Sequence, residues 1–98
     1  APLRDALTHS DAAVRAEAAL ALGTLHSRES ARALCSVLVG DGNSMVREAA
    51  AQALGSIGGA PAVKALEAAA QGDAKGKVRK AAEASLAAIR ARRAASRS

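Results

Sequence analysis

Few side chains in this chain are of types that do chemistry, and their spacing is the first thing to weigh. His9-Ser10-Asp11 brings together the three residue types of a nucleophile, a base and its orienting acid. Neighbours in a turn point in different directions, whereas that chemistry needs a nucleophile–base–acid relay of fixed geometry. The run reads better as a polar turn whose Asp11 caps a helix, since a side-chain oxygen there accepts from free backbone N–H groups. His26-Ser27-Arg28-Glu29 reads as a second turn of the same kind. Cys35, the single cysteine, follows Leu34 in an apolar segment. A buried, inert thiol suits that setting better than a nucleophile or an attachment site. Two histidines and one cysteine fall short of the convergent ligands a metal site needs. The expectation is therefore no catalytic residues, no metal and no cofactor.

Arginine and lysine offer a different chemistry, the binding of anions. The net charge of +5 is unevenly placed. Residues 1–62 hold five basic and six acidic side chains, and residues 63–98 hold nine basic and three acidic. The basic group comprises Lys75, Lys77, Arg79, Lys80, Arg90, Arg92, Arg93 and Arg97. Lys77, Lys80, Arg90, Arg92 and Arg93 are the candidates for contact with phosphates or another polyanion. Glu83 is expected to pair with Arg79 one helical turn away. A solvated, solubilising end is the alternative reading of the group. With no Phe, Tyr or Trp there is no platform on which bases could stack, which argues against base-specific recognition.

The elements that would position these residues follow from an internal repeat. Asp11-Ala-Ala-Val14-Arg15, Asn43-Ser-Met-Val46-Arg47 and Lys75-Gly-Lys-Val78-Arg79 recur every 32 residues. Each is followed by Leu at +8 from the Val (Leu22, Leu54, Leu86) and by Leu or Ile at +11 (Leu25, Ile57, Ile89). With the Ala at +4, these positions share one helical face. A shorter amphipathic segment precedes each copy, and 29 alanines favour helix throughout. The pattern predicts helices near 2–8, 12–25, 30–39, 44–57, 61–71 and 76–92. Asp11 and Asn43 are placed as N-caps, whereas Lys75 lacks the oxygen and leaves the start of the third copy open. Gly58-Gly59 suits a stop and Pro61 the next first turn. The chain divides into repeats of 1–27, 28–59 and 60–93, one domain, with 94–98 as a disordered basic tail.

The Asp/Asn-x-x-Val-Arg-x-x-Ala-x-x-x-Leu-Gly pattern resembles HEAT repeats, and within them the phycobilisome-lyase-like subgroup. The resemblance spans nearly the whole chain. It implies an all-α, right-handed α-solenoid of about three helical hairpins and about six helices. It also implies a ladder joining neighbouring repeats, in which Arg15, Arg47 and Arg79 take the arginine place, with Asp11 and, less well, Asn43 in the acid place. Ala87 stands where the other copies have Gly23 and Gly55, so the last helix reads as a terminal cap. Hydroxylase relatives carry paired His-Glu motifs for metal, and glycosylase relatives use aromatic side chains against DNA. This chain has neither.

In HEAT repeats the second helix of each hairpin lines the binding side. The positions expected to face outward are +2 (Ala16, Glu48, Lys80) and +6 (Leu20, Gln52, Ala84). They vary in chemistry while the packing positions do not, as an adjustable recognition surface requires. Leu20 could anchor a partner or be a lone surface leucine. The expected function is a non-catalytic protein–protein interaction scaffold, or part of a larger one. Nonspecific polyanion or nucleic-acid binding by the C-terminal helix is an alternative, and an accessory role in a bilin lyase another. End-to-end self-association is also open. No segment reads as a membrane span or signal peptide, and one cysteine fits a reducing, cytoplasmic setting. Residue 1 is Ala, which points to a processed product or a piece of something longer.

Overall fold

In a computed structural model, residues 2–96 are described, and they are helical throughout apart from short turns. Helix α1 spans Pro2–Asp5 and tightens into a 3-10 turn at Ala6–Thr8. Helix α2 spans Ala12–Thr24, and a 3-10 turn at Arg28–Ser30 leads into α3, Ala31–Gly40. Helices α4 (Ser44–Ile57), α5 (Ala60–Gly72) and α6 (Gly76–Ser96) complete the chain. The second helices α2, α4 and α6 pack side by side in one layer. The first helices form the other, with α3 against α4 and α5, and α5 against α6. The result is an all-α solenoid of three helical hairpins.

Caps set the boundaries. Asp11 accepts from the Ala13 N–H at 2.8 Å, and Asn43 from those of Met45 and Val46 at 2.8 and 3.3 Å. The third copy starts in the same register as the others: Ala12, Ser44 and Gly76 are 32 apart. Its start has no side-chain cap at Lys75; the turn before it is closed by Asp73, which accepts from the Lys75 N–H at 2.9 Å. At the other end of α2, His26 adopts φ +52°. Its neighbour Ser27 donates back to Leu22 C=O at 3.1 Å, which satisfies a carbonyl the helix would leave open. Gly58, at the same place in the second repeat, closes α4 with φ +73°.

The core is built from the repeated positions. Val46, Val78, Ala50, Ala82, Leu54, Leu34 and Leu66 are fully buried. The first repeat departs from the pattern twice. Val14 is only half-buried, with no earlier repeat against it among the described residues. Leu25, expected in the core, is 65% exposed, while Ile57 and Ile89 are buried. Leu25 is the cap residue of α2, which ends at Thr24, whereas α4 runs through Ile57.

Small residues let the second helices approach closely. A Cβ on Gly23 would lie 2.6 Å from the Ala53 Cα, and one on Gly55 would lie 2.6 Å from the Ser85 Cβ. Ser85 Oγ donates to Ala51 C=O at 2.8 Å across the α4–α6 contact. Ala87, the third member of this series, is exposed, and no later helix among the described residues crowds it. The C-terminal end also differs from expectation. Helix α6 continues through Ala94, Ala95 and Ser96, where a disordered tail was anticipated; Arg97 and Ser98 lie outside the described residues. Alanine and arginine sustain the helix there.

Candidate functional site

The three repeated arginines do one thing in common. Each turns an Nη1 group back onto the carbonyl six residues earlier. Arg15 reaches His9 at 2.8 Å, Arg47 reaches Asp41 at 2.8 Å, and Arg79 reaches Asp73 at 2.6 Å. This fixes each guanidinium against the turn before its helix. Arg15 and Arg47 then point the free fork into the following repeat. Arg15 Nε and Nη2 donate to the Asp41 carboxylate at 2.9 and 3.1 Å. Arg47 makes the same pair with Asp73 at 2.9 and 3.2 Å. Two parallel N–H···O bonds to a planar carboxylate are what arginine supplies and lysine cannot.

The ladder therefore exists, but with other acids than those expected. Asp11 and Asn43 are occupied as helix caps and take no part in it. The acids are Asp41 and Asp73, each six residues before its repeat's arginine. Their own spacing of 32 was the signal, lying just upstream of the segment over which the copies were matched. His9 holds the corresponding place in the first repeat. Its Nδ1 accepts from the Asp11 N–H at 3.0 Å, as Asp41 Oδ1 does from Asn43 and Asp73 Oδ1 from Lys75.

The electrostatics follow from these contacts. Burial pushes the Asp41 carboxyl up, yet the Arg15 hydrogen bonds, the Asn43 N–H and the charges of Arg15 and Arg47 together hold it below the usual range. The Arg47 hydrogen bonds hold Asp73 below its usual range against the opposing effect of burial, with help from the Lys75 N–H and the charges of Arg47 and Arg79. Arg15 and Arg47 are raised in turn, chiefly by their hydrogen bonds to the two aspartates. Both links are ionised structural pairs.

The six outward positions lie on the second-helix layer. Leu20 is 43% exposed. Gln52, Lys80 and Ala84 are exposed, and Ala16 and Glu48 are half-buried. Gln52 and Ala84 come together in a shallow groove of ≈ 250 Å³ between α4 and α6, which Ser56, Ala81, Ala88 and Arg92 also line. The +10 positions Thr24, Ser56 and Ala88 are exposed as well and extend the row by one turn. They follow from the same four-residue spacing that selected +2 and +6.

The basic candidates do not form one patch. Lys77 and Lys80 lie in the first turns of α6, and Arg90, Arg92 and Arg93 begin roughly 15–20 Å further along the helix. Arg92 Nη2 donates to Gly55 C=O at 2.6 Å, satisfying a carbonyl in the last turn of α4. Arg90 meets Glu67 at 3.5 Å in an exposed pair. Glu83 does not pair with Arg79, whose guanidinium is turned toward Asp73 instead; among the described residues Glu83 has no ion pair. Cys35 donates to Pro61 C=O at 3.5 Å, and burial pushes its thiol up, so it stays protonated and a poor nucleophile.

Repeated hairpins joined by arginine–aspartate links define a helical-repeat protein of the α-solenoid class. The sequence matches the model for HEAT repeats over residues 1–87, and the chain belongs to the HEAT repeat family. No curated protein matches it. Among solved structures it is similar to human deoxyhypusine hydroxylase in complex with glycerol, at 31% identity and a TM-score of 0.86. That similarity covers 91% of this chain and 31% of the other, so the chain spans about a third of that protein's length. Among the described residues, no three His, Cys, Asp or Glu side chains are grouped so as to hold a metal ion, and no helix is long and apolar enough to cross a membrane.

Proposed function

We infer that this chain is a non-catalytic interaction module, a scaffold or part of one, that holds a partner protein on the face made by α2, α4 and α6. One observation carries the reading. The packing and ladder positions repeat, while the row over them changes from half-buried Ala16 and Glu48 to exposed Leu20, Gln52, Lys80 and Ala84. A stack that fixes its framework and varies its surface is arranged for recognition. The donor inventory agrees, since the two histidines are exposed in turns and the thiol is protonated. Hydroxylation of the kind named for the structural relative is not part of this reading. The reading takes the cytoplasm as its setting.

The test is affinity capture on the immobilised chain from a source lysate, with and without nuclease. The reading predicts a discrete protein retained in both samples. Recovery of nucleic acid alone, lost on nuclease treatment, would overturn it in favour of polyanion binding by α6.

A further inference from the structure

We propose that the groove between α4 and α6 seats an acidic side chain of a partner protein, with its carboxylate on Arg92 and its apolar stem against Ala81, Ala84 and Ala88. The proposal rests on the second-helix face being the partner's side and adds what the partner must bring to it. Arg92 borders the groove from the late turns of α6 and is tied down there, because its Nη2 donates to Gly55 C=O at 2.6 Å. Its Nε and Nη1 have no acceptor among the described residues. A guanidinium held in this way offers a planar, charged set of donors that matches a carboxylate. Anchoring also lowers the cost of binding, since less of the side chain must be ordered when the carboxylate arrives.

The surroundings decide between occupants. The groove is ≈ 250 Å³ and none of its lining residues is acidic. Small-molecule pockets run to about 300–1,000 Å³, so this one suits a single side chain better than a cofactor. Its floor is alanine, Gly55 and Ser85, and Gln52 and Ser56 add an amide and a hydroxyl that can meet a peptide backbone. Charge along the face is complementary to an acidic segment. Helix α6 turns Lys77 and Lys80 outward at its start, with no ion pair to either among the described residues, and Arg92 near its end. Between them lie only Ala84 and Ala88 on the same strip. A nucleic-acid backbone carries charge at every step. It would lay most of its phosphates over alanine, Gln52 and Ser56, and some over Glu48. A peptide can place one carboxylate on Arg92 and keep the rest of its surface neutral.

The experiment uses the nitrogen-15-labelled chain and follows arginine Nε–H and glutamine amide resonances by NMR. The probes are an acetylated and amidated Ala-Glu-Ala-Ala peptide, its Ala-Gln-Ala-Ala counterpart and inorganic phosphate. Arg92 Nε–H and the Gln52 amide are expected to shift together and saturably with the glutamate peptide, at a midpoint at least about fivefold lower than for the glutamine peptide. Arg28 and Arg32, exposed on the other side of the stack, should drift without saturating. Arg92→Lys keeps the charge but not the fork and should raise the midpoint at least about threefold. Ala88→Leu, which fills the groove, should abolish the Gln52 response. An Arg92 response equal for the two peptides, or no different from that of Arg28 and Arg32, would overturn the proposal. A lower midpoint for phosphate than for the glutamate peptide would do so too and give the seat to a phosphate. Self-association in sedimentation that disappears in Arg92→Gln would give it to a second copy. A partner protein captured through the second-helix face with no dependence on Arg92→Lys would overturn this proposal alone, whereas capture of nucleic acid only would overturn the interaction reading beneath it.

Discussion

Asp41 and Asp73 illustrate how much one residue can do here. Each carboxylate closes its own turn through a backbone N–H and ties that turn to the previous repeat through an arginine. Asp73→Asn keeps the shape but not the charge. It should cost about 1–2 kcal/mol of folding free energy, a range set by charged hydrogen bonds at a partly screened site, and chemical denaturation would measure it. The same carboxylates set an acid limit. Both hold depressed pKa values in the folded chain, so their contribution is complete above the unfolded value near 4 and is lost as pH falls through the folded values. Denaturation midpoints should stay level from about pH 7 to about pH 5 and drop below about pH 4. The drop should be smaller in Asp73→Asn, because one of the two linked groups is gone.

At the scale of elements, glycine has an unusual sign. Replacing an exposed helical glycine by alanine stabilises by up to about 1 kcal/mol. Gly23→Ala and Gly55→Ala should instead destabilise by about 1–3 kcal/mol, because the new methyl meets the neighbouring helix at well under contact distance. Ala87→Gly, at the corresponding exposed place, should follow the ordinary propensity and lose about 1 kcal/mol or less. Thermal melts of the three variants would check the contrast. The elements themselves were readable because the 32-residue period and the apolar face reinforce each other, and the capping residues fixed most starts. Three features were not readable. Leu25 is apolar like Ile57 and Ile89, so the pattern does not show that α2 stops one residue short of it. The ladder acids were misassigned because Asp11 and Asn43 have the right chemistry for either a cap or a link, and only the fold shows which N–H or guanidinium each one meets. Arg92 was grouped with its basic neighbours, although its reach to the end of α4 depends on the packing of α6.

The molecule as a whole measures 44 × 30 × 16 Å, about two helix layers thick. Helix α4 sits in the middle of it, packed by α2, α6, α3 and α5. Protection should follow that arrangement. Hydrogen exchange is expected to be slowest in α4 and faster in α1 and the last turns of α6, which have neighbours on fewer sides. Equal protection along the chain would mean that the end repeats gain as much from packing as the central one. The row of exposed positions crosses all three second helices, so recognition on this face belongs to the stack and not to any one hairpin.

The most direct test of that claim is quantitative capture of the retained partner by surface variants whose helical circular dichroism matches the parent. The pair Leu20→Asp with Ala84→Glu alters the second-helix face, and the pair Arg32→Glu with Lys64→Glu alters exposed positions on the first helices. Recognition by the second helices predicts at least about a tenfold loss of partner in the first pair, equivalent to about 1.4 kcal/mol, and little change in the second. Full retention by the first pair, or an equal loss in both, would contradict it.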